Sequence, residues 1–166
     1  TIGDKPLDAL IYNAGIWEDT AFSEAYNFED ISEEETRRII DVNLTSAILV
    51  TQKLLPNLRK SQNPKIILIG SVSGKAYSRG QEVAYVASKA GLLGVASSLR
   101  EYLRRDKIPV TIINPGNFGV LREGVDVGSG EGIPAKDLLT LITTVIKMSN
   151  HSCIRQVDLV AMDDPF

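Results

Sequence analysis

The sequence predicts an α/β domain built on a doubly wound parallel sheet, and three observations predict it. Short apolar runs of strand length alternate with longer amphipathic stretches. Strand and helix take turns along the chain, which calls for right-handed crossovers and helices on both faces of the sheet. The runs at 7–12 and 65–72 are almost continuously apolar, as in strands buried on both sides.

The elements follow in order. Residues 7–12 form the first strand. The acidic segment 29–35 opens a long helix that carries Ile39, Ile40, Val42 and Leu44 and runs on to Leu55, with Pro56 at its far end. Ser32 and Glu35 have capping-box spacing, and carboxylates suit a first helical turn. Residues 65–72 (KIILIGSV) form the second strand and 85–105 a second long helix. The small residues Ala87, Ala90, Gly91, Gly94 and Ala96 of that helix would let another helix approach closely. Residues 109–113 form the third strand, ended by Asn114-Pro115-Gly116, since proline cannot extend a ladder. Residues 117–134 hold five of the thirteen glycines and read as a flexible loop. A third helix at 135–148 and a last strand at 156–162 complete the series.

The composition narrows the function. The chain has 166 residues, 43% hydrophobic, enough for one domain with a core of its own. Its net charge of −3 comes from scattered charges of both signs, with no basic stripe for a nucleic acid. Apolar runs are too short and broken to span a membrane. The opening Thr1-Ile2-Gly3-Asp4-Lys5-Pro6 lacks a secretory-signal pattern. The single cysteine, Cys153, excludes an internal disulfide and fits a reducing, cytoplasmic compartment. Cys153 and the lone His151 make no metal site, so none is expected.

Chemistry gathers at strand ends. Tyr85 and Lys89 are four residues apart in a helix and share one face. A free phenol has a pKa near ~10, and a neighbouring ammonium favours the phenolate. Tyr85 could then exchange a proton with an alcohol or carbonyl oxygen. Ser71 closes the second strand, Asn13-Ala14-Gly15 follow the first, and Asn114-Pro115-Gly116 follow the third. The carboxyl ends of strands are where open α/β sheets bind ligands. Asn43 adds a polar group within the first long helix.

Together these residues resemble the short-chain dehydrogenase/reductase family over essentially all 166 residues. Tyr12-Asn13-Ala14-Gly15 is similar to that family's Asn-Asn-Ala-Gly, Asp41-Val42-Asn43-Leu44 to the catalytic-asparagine segment, and Ile69-Gly70-Ser71-Val72-Ser73-Gly74 to the catalytic-serine segment. Tyr85-Val86-Ala87-Ser88-Lys89 is similar to Tyr-x-x-x-Lys, and Asn114-Pro115-Gly116 to the Pro-Gly motif beside the nicotinamide. The resemblance implies a Rossmann-like fold and an NAD(P)-dependent oxidoreductase that interconverts an alcohol and a ketone or aldehyde. It implies Tyr85 as acid/base and Ser71 as the group orienting the substrate oxygen. Lys89 would lower the Tyr85 pKa and hold the ribose, and Asn43 would anchor a proton-relay water. Asn13, Ala14, Gly15, Pro115 and Gly116, with Tyr85 and Lys89, would touch the cofactor. It also implies a small-molecule substrate selected by loop 117–134, and a homodimer or homotetramer formed through the helices carrying Tyr85 and Asn43.

The match has departures. Tyr12 replaces the first Asn of the motif. The Ser71-to-Tyr85 spacing is one residue longer than usual, which leaves Ser73 as a rival serine. Val120 stands where the family often has a Thr that bonds the carboxamide. Gly124, Gly128 and Gly130 have the spacing of a glycine-rich dinucleotide loop, but no strand precedes them and no apolar helix follows. No strand and glycine-rich turn precede residue 7, so the domain is expected to be truncated by about 75–85 residues, the first βαβαβ half. The choice between NAD and NADP would lie there, and the outer edge of the first strand would be bare and apolar. A second reading therefore stands beside the enzyme: a catalytically silent fragment or interaction module that keeps the fold but binds no cofactor. Trp17, Tyr77 and Phe118 are candidate pocket residues.

Overall fold

The structure is a computed structural model that describes residues 2–76, 78, 80–118 and 132–162. Four parallel strands, β1 (Ala9–Tyr12), β2 (Lys65–Ile69), β3 (Val110–Pro115) and β4 (Gln156–Leu159), lie in the order β1-β2-β3-β4. The helices are α1 (Glu33–Ile40), α2 (Ser46–Leu58), α3 (Val83–Tyr102) and α4 (Ala135–Lys147).

The two central strands explain the continuous apolar runs. Alternate side chains of a strand point to opposite faces. Ile66 and Leu68 of β2 pack with Leu55, Leu58, Leu92 and Ala96 of α2 and α3. Ile67 and Ile69 pack with Ile113 and Val145, against the α4 side chains Leu141 and Ile142. Every residue of β2 and β3 is buried, whereas β4 alternates between exposed and half-buried as an edge strand. β1 forms the other edge, and Ile11 is 41% exposed there. The expected apolar edge is therefore present. Among the described residues no helix is long and apolar enough to cross a membrane.

Several boundaries differ from expectation. β1 begins at Ala9, because the Leu7 N–H turns away to the Asn57 carbonyl. β3 runs through Asn114 and Pro115, which pair with Asp158 and Leu159. The missing proline donor falls at the last pair, and the Gly116 N–H takes up the Leu159 carbonyl at 2.8 Å. The long helix from residue 29 is broken. A 3₁₀ turn at Phe28–Asp30 precedes α1, and a π-helical turn at Asp41–Thr45 joins α1 to α2. Ser32 caps α1 by accepting from the Glu35 N–H at 3.1 Å. The reciprocal half of the box is absent, because the Glu35 carboxylate accepts from the Asp19 N–H at 2.7 Å instead.

The π turn is held partly from across the fold. A π turn loosens the ordinary helical ladder and leaves carbonyls in need of donors. The Val42 carbonyl accepts from both the Ser46 hydroxyl and the buried Tyr12 hydroxyl. Tyr12, the residue that departs from the family motif, thus ties the end of β1 to the turn that carries Asn43.

Candidate active site

The carboxyl ends of β1, β2 and β3 open onto one pocket of about 540 Å³, bordered by Asn13, Gly15, Ser71, Tyr85, Lys89 and Gly116. β2 leads into it through Gly70 and Ser71. Ser71 is 7% exposed and caps a 3₁₀ turn at Val72–Gly74, its oxygen accepting from the Ser73 N–H at 3.1 Å. That use of the oxygen leaves the hydroxyl proton available for a ligand or a neighbour. Gly74 lets this turn seat on α3. A Cβ there would lie 2.5 Å from the Lys89 carbonyl carbon and 2.7 Å from the Ala90 nitrogen.

Tyr85 and Lys89 project from adjacent turns of α3. The Lys89 ammonium donates to the Ile69 carbonyl at 3.1 Å and lies 5.7 Å from the centre of the Tyr85 ring. Burial lowers the Lys89 pKa to about 8. Burial also pushes the Tyr85 phenol up; the Ser71 hydroxyl pulls it down, and the Glu82 and Glu18 carboxylates push it up further. The ammonium sits over the ring and is bonded to a carbonyl, so desolvation of the phenol dominates.

Asn43 is fully buried. Its side chain accepts from the Ile16 N–H at 2.8 Å and donates to the Ile16 carbonyl at 2.7 Å and the Ser88 hydroxyl at 2.9 Å. It clamps the loop after β1, including Asn13, the exposed Ala14 and Gly15, against α3. A Cβ on Gly15 would lie 3.2 Å from the Lys89 ammonium nitrogen and 3.7 Å from the Asn43 carboxamide oxygen, so only a bare backbone passes comfortably. Ser73, the rival serine, is half-buried and also borders the pocket. Among the described residues, no group of three or more His, Cys, Asp or Glu side chains could hold a metal ion.

Two residues were not foreseen. Glu18 is fully buried and caps α3 from a distance, accepting from the Ala84 N–H at 2.9 Å and the Tyr85 N–H at 3.3 Å. A carboxylate at a helix N-terminus meets unpaired N–H groups and the positive end of the dipole. It lies some sixty-six residues before the helix it caps, so no local pattern announces it. Phe22 is the other. Its backbone is left-handed at φ 59°, and its N–H donates to the Glu82 carboxylate at 3.1 Å. Its ring stands edge-on to Trp17 and Tyr85, each with centroids 5.8 Å away, and Trp17 and Tyr85 meet edge-on at 6.4 Å. Trp17 and Phe118, two of the candidate pocket residues, border the pocket. Tyr77, Val120 and the glycines Gly124, Gly128 and Gly130 lie outside the described residues, as does most of loop 117–134. Phe118 and Ile133, at the two ends of that stretch, form an isolated bridge.

The sequence profile of the short-chain dehydrogenases matches residues 3–121. This chain belongs to that family. It is 35% identical over 136 residues to the 3-oxoacyl-[acyl-carrier-protein] reductase MabA of Mycobacterium avium, covering 79% of this chain and 51% of the relative. It is 36% identical over 110 residues to the reductase FabG of Buchnera aphidicola, covering 66% of this chain and 42% of the relative. The chain thus spans about half the length of the curated relatives it matches. Among solved structures, serine dehydrogenase complexed with NADP+ shares the fold at a TM-score of 0.80 and 23% identity, covering 96% of this chain and 67% of that one. An oxidoreductase of the same family from Burkholderia thailandensis matches at a TM-score of 0.59 and 29% identity, covering 70% of this chain and 43% of that one.

Proposed function

We propose that the protein is an NAD(P)-dependent oxidoreductase that interconverts a carbonyl compound and its alcohol, with Tyr85 as acid/base. The observation that carries this reading is the convergence of Ser71, Tyr85 and Lys89 on one pocket at the carboxyl end of the sheet. MabA and FabG are 3-oxoacyl-[acyl-carrier-protein] reductases, and reduction of a 3-oxoacyl group belongs to the same reaction class.

The pocket fits the nicotinamide–ribose end of the cofactor. Gly15 leaves room beside the Lys89 ammonium, and Asn13, Pro115 and Gly116 border the same space. When bound, a nicotinamide supplies or accepts the hydride. Lys89 and Tyr85 would hold the ribose hydroxyls, and Asn13, Ala14 and Gly15 would run alongside them. NADP, present in the serine dehydrogenase complex, is one candidate and NAD the other.

Each side chain then has a task. Ser71 donates its free hydroxyl proton to the substrate oxygen and fixes it beside Tyr85. Tyr85 gives that oxygen a proton during carbonyl reduction and takes one back during alcohol oxidation. With its pKa raised, the phenol is protonated at neutral pH, the form that carbonyl reduction needs. Lys89, with a pKa of about 8, is mostly ammonium at neutral pH and stabilises the phenolate left behind. Asn43 holds the loop and Ser88, whose hydroxyl donates to the Tyr85 carbonyl at 2.7 Å, and would anchor a water that returns the proton. Ser71→Ala and Tyr85→Phe test the reading in the whole protein. Both should retain NADH or NADPH binding and lose turnover; near-parental turnover in Tyr85→Phe contradicts it.

The proposed assembly is a homodimer or homotetramer. Ile48, Leu49 and Val50 of α2 are 46%, 55% and 38% exposed, apolar surface that a second copy could cover. A monomer by light scattering at micromolar concentration would remove this part of the reading.

A further inference from the structure

The mouth of the pocket carries a feature that the acid/base machinery does not use. Trp17 and Phe22, from the loop after β1, and Phe118, from the segment after β3, all border the same opening. They are 52%, 58% and 37% exposed. Large aromatic side chains held half out of water are a standing cost that a covering ligand relieves. Phe22 makes this costlier still, because its left-handed backbone is rarely adopted by a bulky residue. The Glu82 carboxylate fixes that conformation by accepting the Phe22 N–H. Strain of this kind persists where the surroundings hold it, and it gathers at ligand clamps.

The arrangement ends on the reacting group. Trp17 and Phe22 both stand edge-on to the Tyr85 ring, so an apolar body lying on them reaches Tyr85 with its polar end. The charges agree. Among the described residues bordering the pocket, Lys89 is the only charged one, and it is bonded to the Ile69 carbonyl. Glu18 and Glu82 are buried behind the wall, where they hold backbone N–H groups. In the proposed reading Lys89 is taken up by the cofactor ribose, so these residues leave no charge free to pair with a substrate carboxylate, phosphate or ammonium. The volume of about 540 Å³ is in the range of pockets that enclose a small organic ligand.

We infer that the substrate is an uncharged carbonyl compound, or its alcohol, with a ring or branched hydrocarbon body next to the reacting carbon. Trp17, Phe22 and Phe118 form the wall that selects it. The inference rests on the proposed oxidoreductase reading for its chemistry, and on the wall alone for the kind of molecule bound.

Trp17 is the sole tryptophan of the sequence, so its fluorescence reports directly on the wall. The experiment titrates the whole protein, with NAD+ or NADP+ present, with 2-decalone and separately with acetoacetate. Decalone should change the emission saturably in the parent, and acetoacetate should not. Phe22→Ala should weaken decalone binding by roughly threefold to tenfold, the worth of an aromatic contact, and Phe118→Ala should weaken it as well. Circular dichroism should show both variants folded. Acetoacetate binding as tightly as decalone, no saturable change with decalone, or unaltered binding by both variants would overturn the inference. Turnover separates the two claims. Decalone binding without turnover by either reduced cofactor contradicts the oxidoreductase reading and leaves the wall standing. Turnover that prefers acetoacetate does the reverse.

Discussion

The pocket has two walls of opposite character. On the polar side, Ser71 and Lys89 are 7% and 6% exposed, and each is fixed by hydrogen bonds to backbone groups. On the aromatic side, Trp17 and Phe22 are half in solvent and reach the site from the long loop that follows β1. The polar wall is built on the buried strand β2 and the helix α3, elements that cannot shift without opening the core. The difference teaches where each task belongs: proton transfer needs fixed distances and a dry setting, whereas choosing a substrate needs exposed surface.

The comparison breaks hardest at Tyr85. Tyr85→Phe keeps the ring and its edge-on contacts but removes the proton, so turnover should fall by roughly 10²- to 10⁴-fold while decalone still binds through the aromatic wall. Steady-state rates beside the fluorescence titration check this. Next in size is Gly74→Ala, which forces the Ser71 turn away from α3. Overpacking of this kind costs about 1–3 kcal/mol, and thermal unfolding should show it together with lost turnover. A smaller effect tests the electrostatics. Glu18 pushes the Tyr85 phenol up, so Glu18→Gln, which can still accept from the Ala84 and Tyr85 N–H groups, should let it fall. The alkaline limb of carbonyl reduction, where Tyr85 loses its proton, should then move to lower pH. A limb that stays put or moves upward contradicts the assignment. Smallest is Trp17→Ala, expected to raise KM for an apolar ketone by roughly 2- to 10-fold with kcat little changed.

The two walls also differ in how far they could be read from the sequence. The β2 run, the Tyr85–Lys89 spacing and Ser71 at a strand end are local patterns, and the structure brings all three together. The break at Asp41–Thr45 is not local, because the Tyr12 hydroxyl that supports it comes from β1. Glu18 looks like one more surface acid beside Asp19 until α3 is placed over it. Phe22 gives no sign of a left-handed backbone, since neither glycine nor asparagine stands there to mark one. Residues whose role depends on contacts made across the fold left no pattern along the chain.

The central claim is that Tyr85 protonates a carbonyl oxygen while hydride from a nicotinamide reaches the carbon. The most direct measurement incubates the whole protein with reduced cofactor carrying deuterium at the transferable position, together with an apolar ketone, and analyses the alcohol by mass spectrometry. The account predicts one deuterium on the carbinol carbon with the parent protein and none above background with Tyr85→Phe. Alcohol formed without deuterium, or equal labelling by the two proteins, would contradict it.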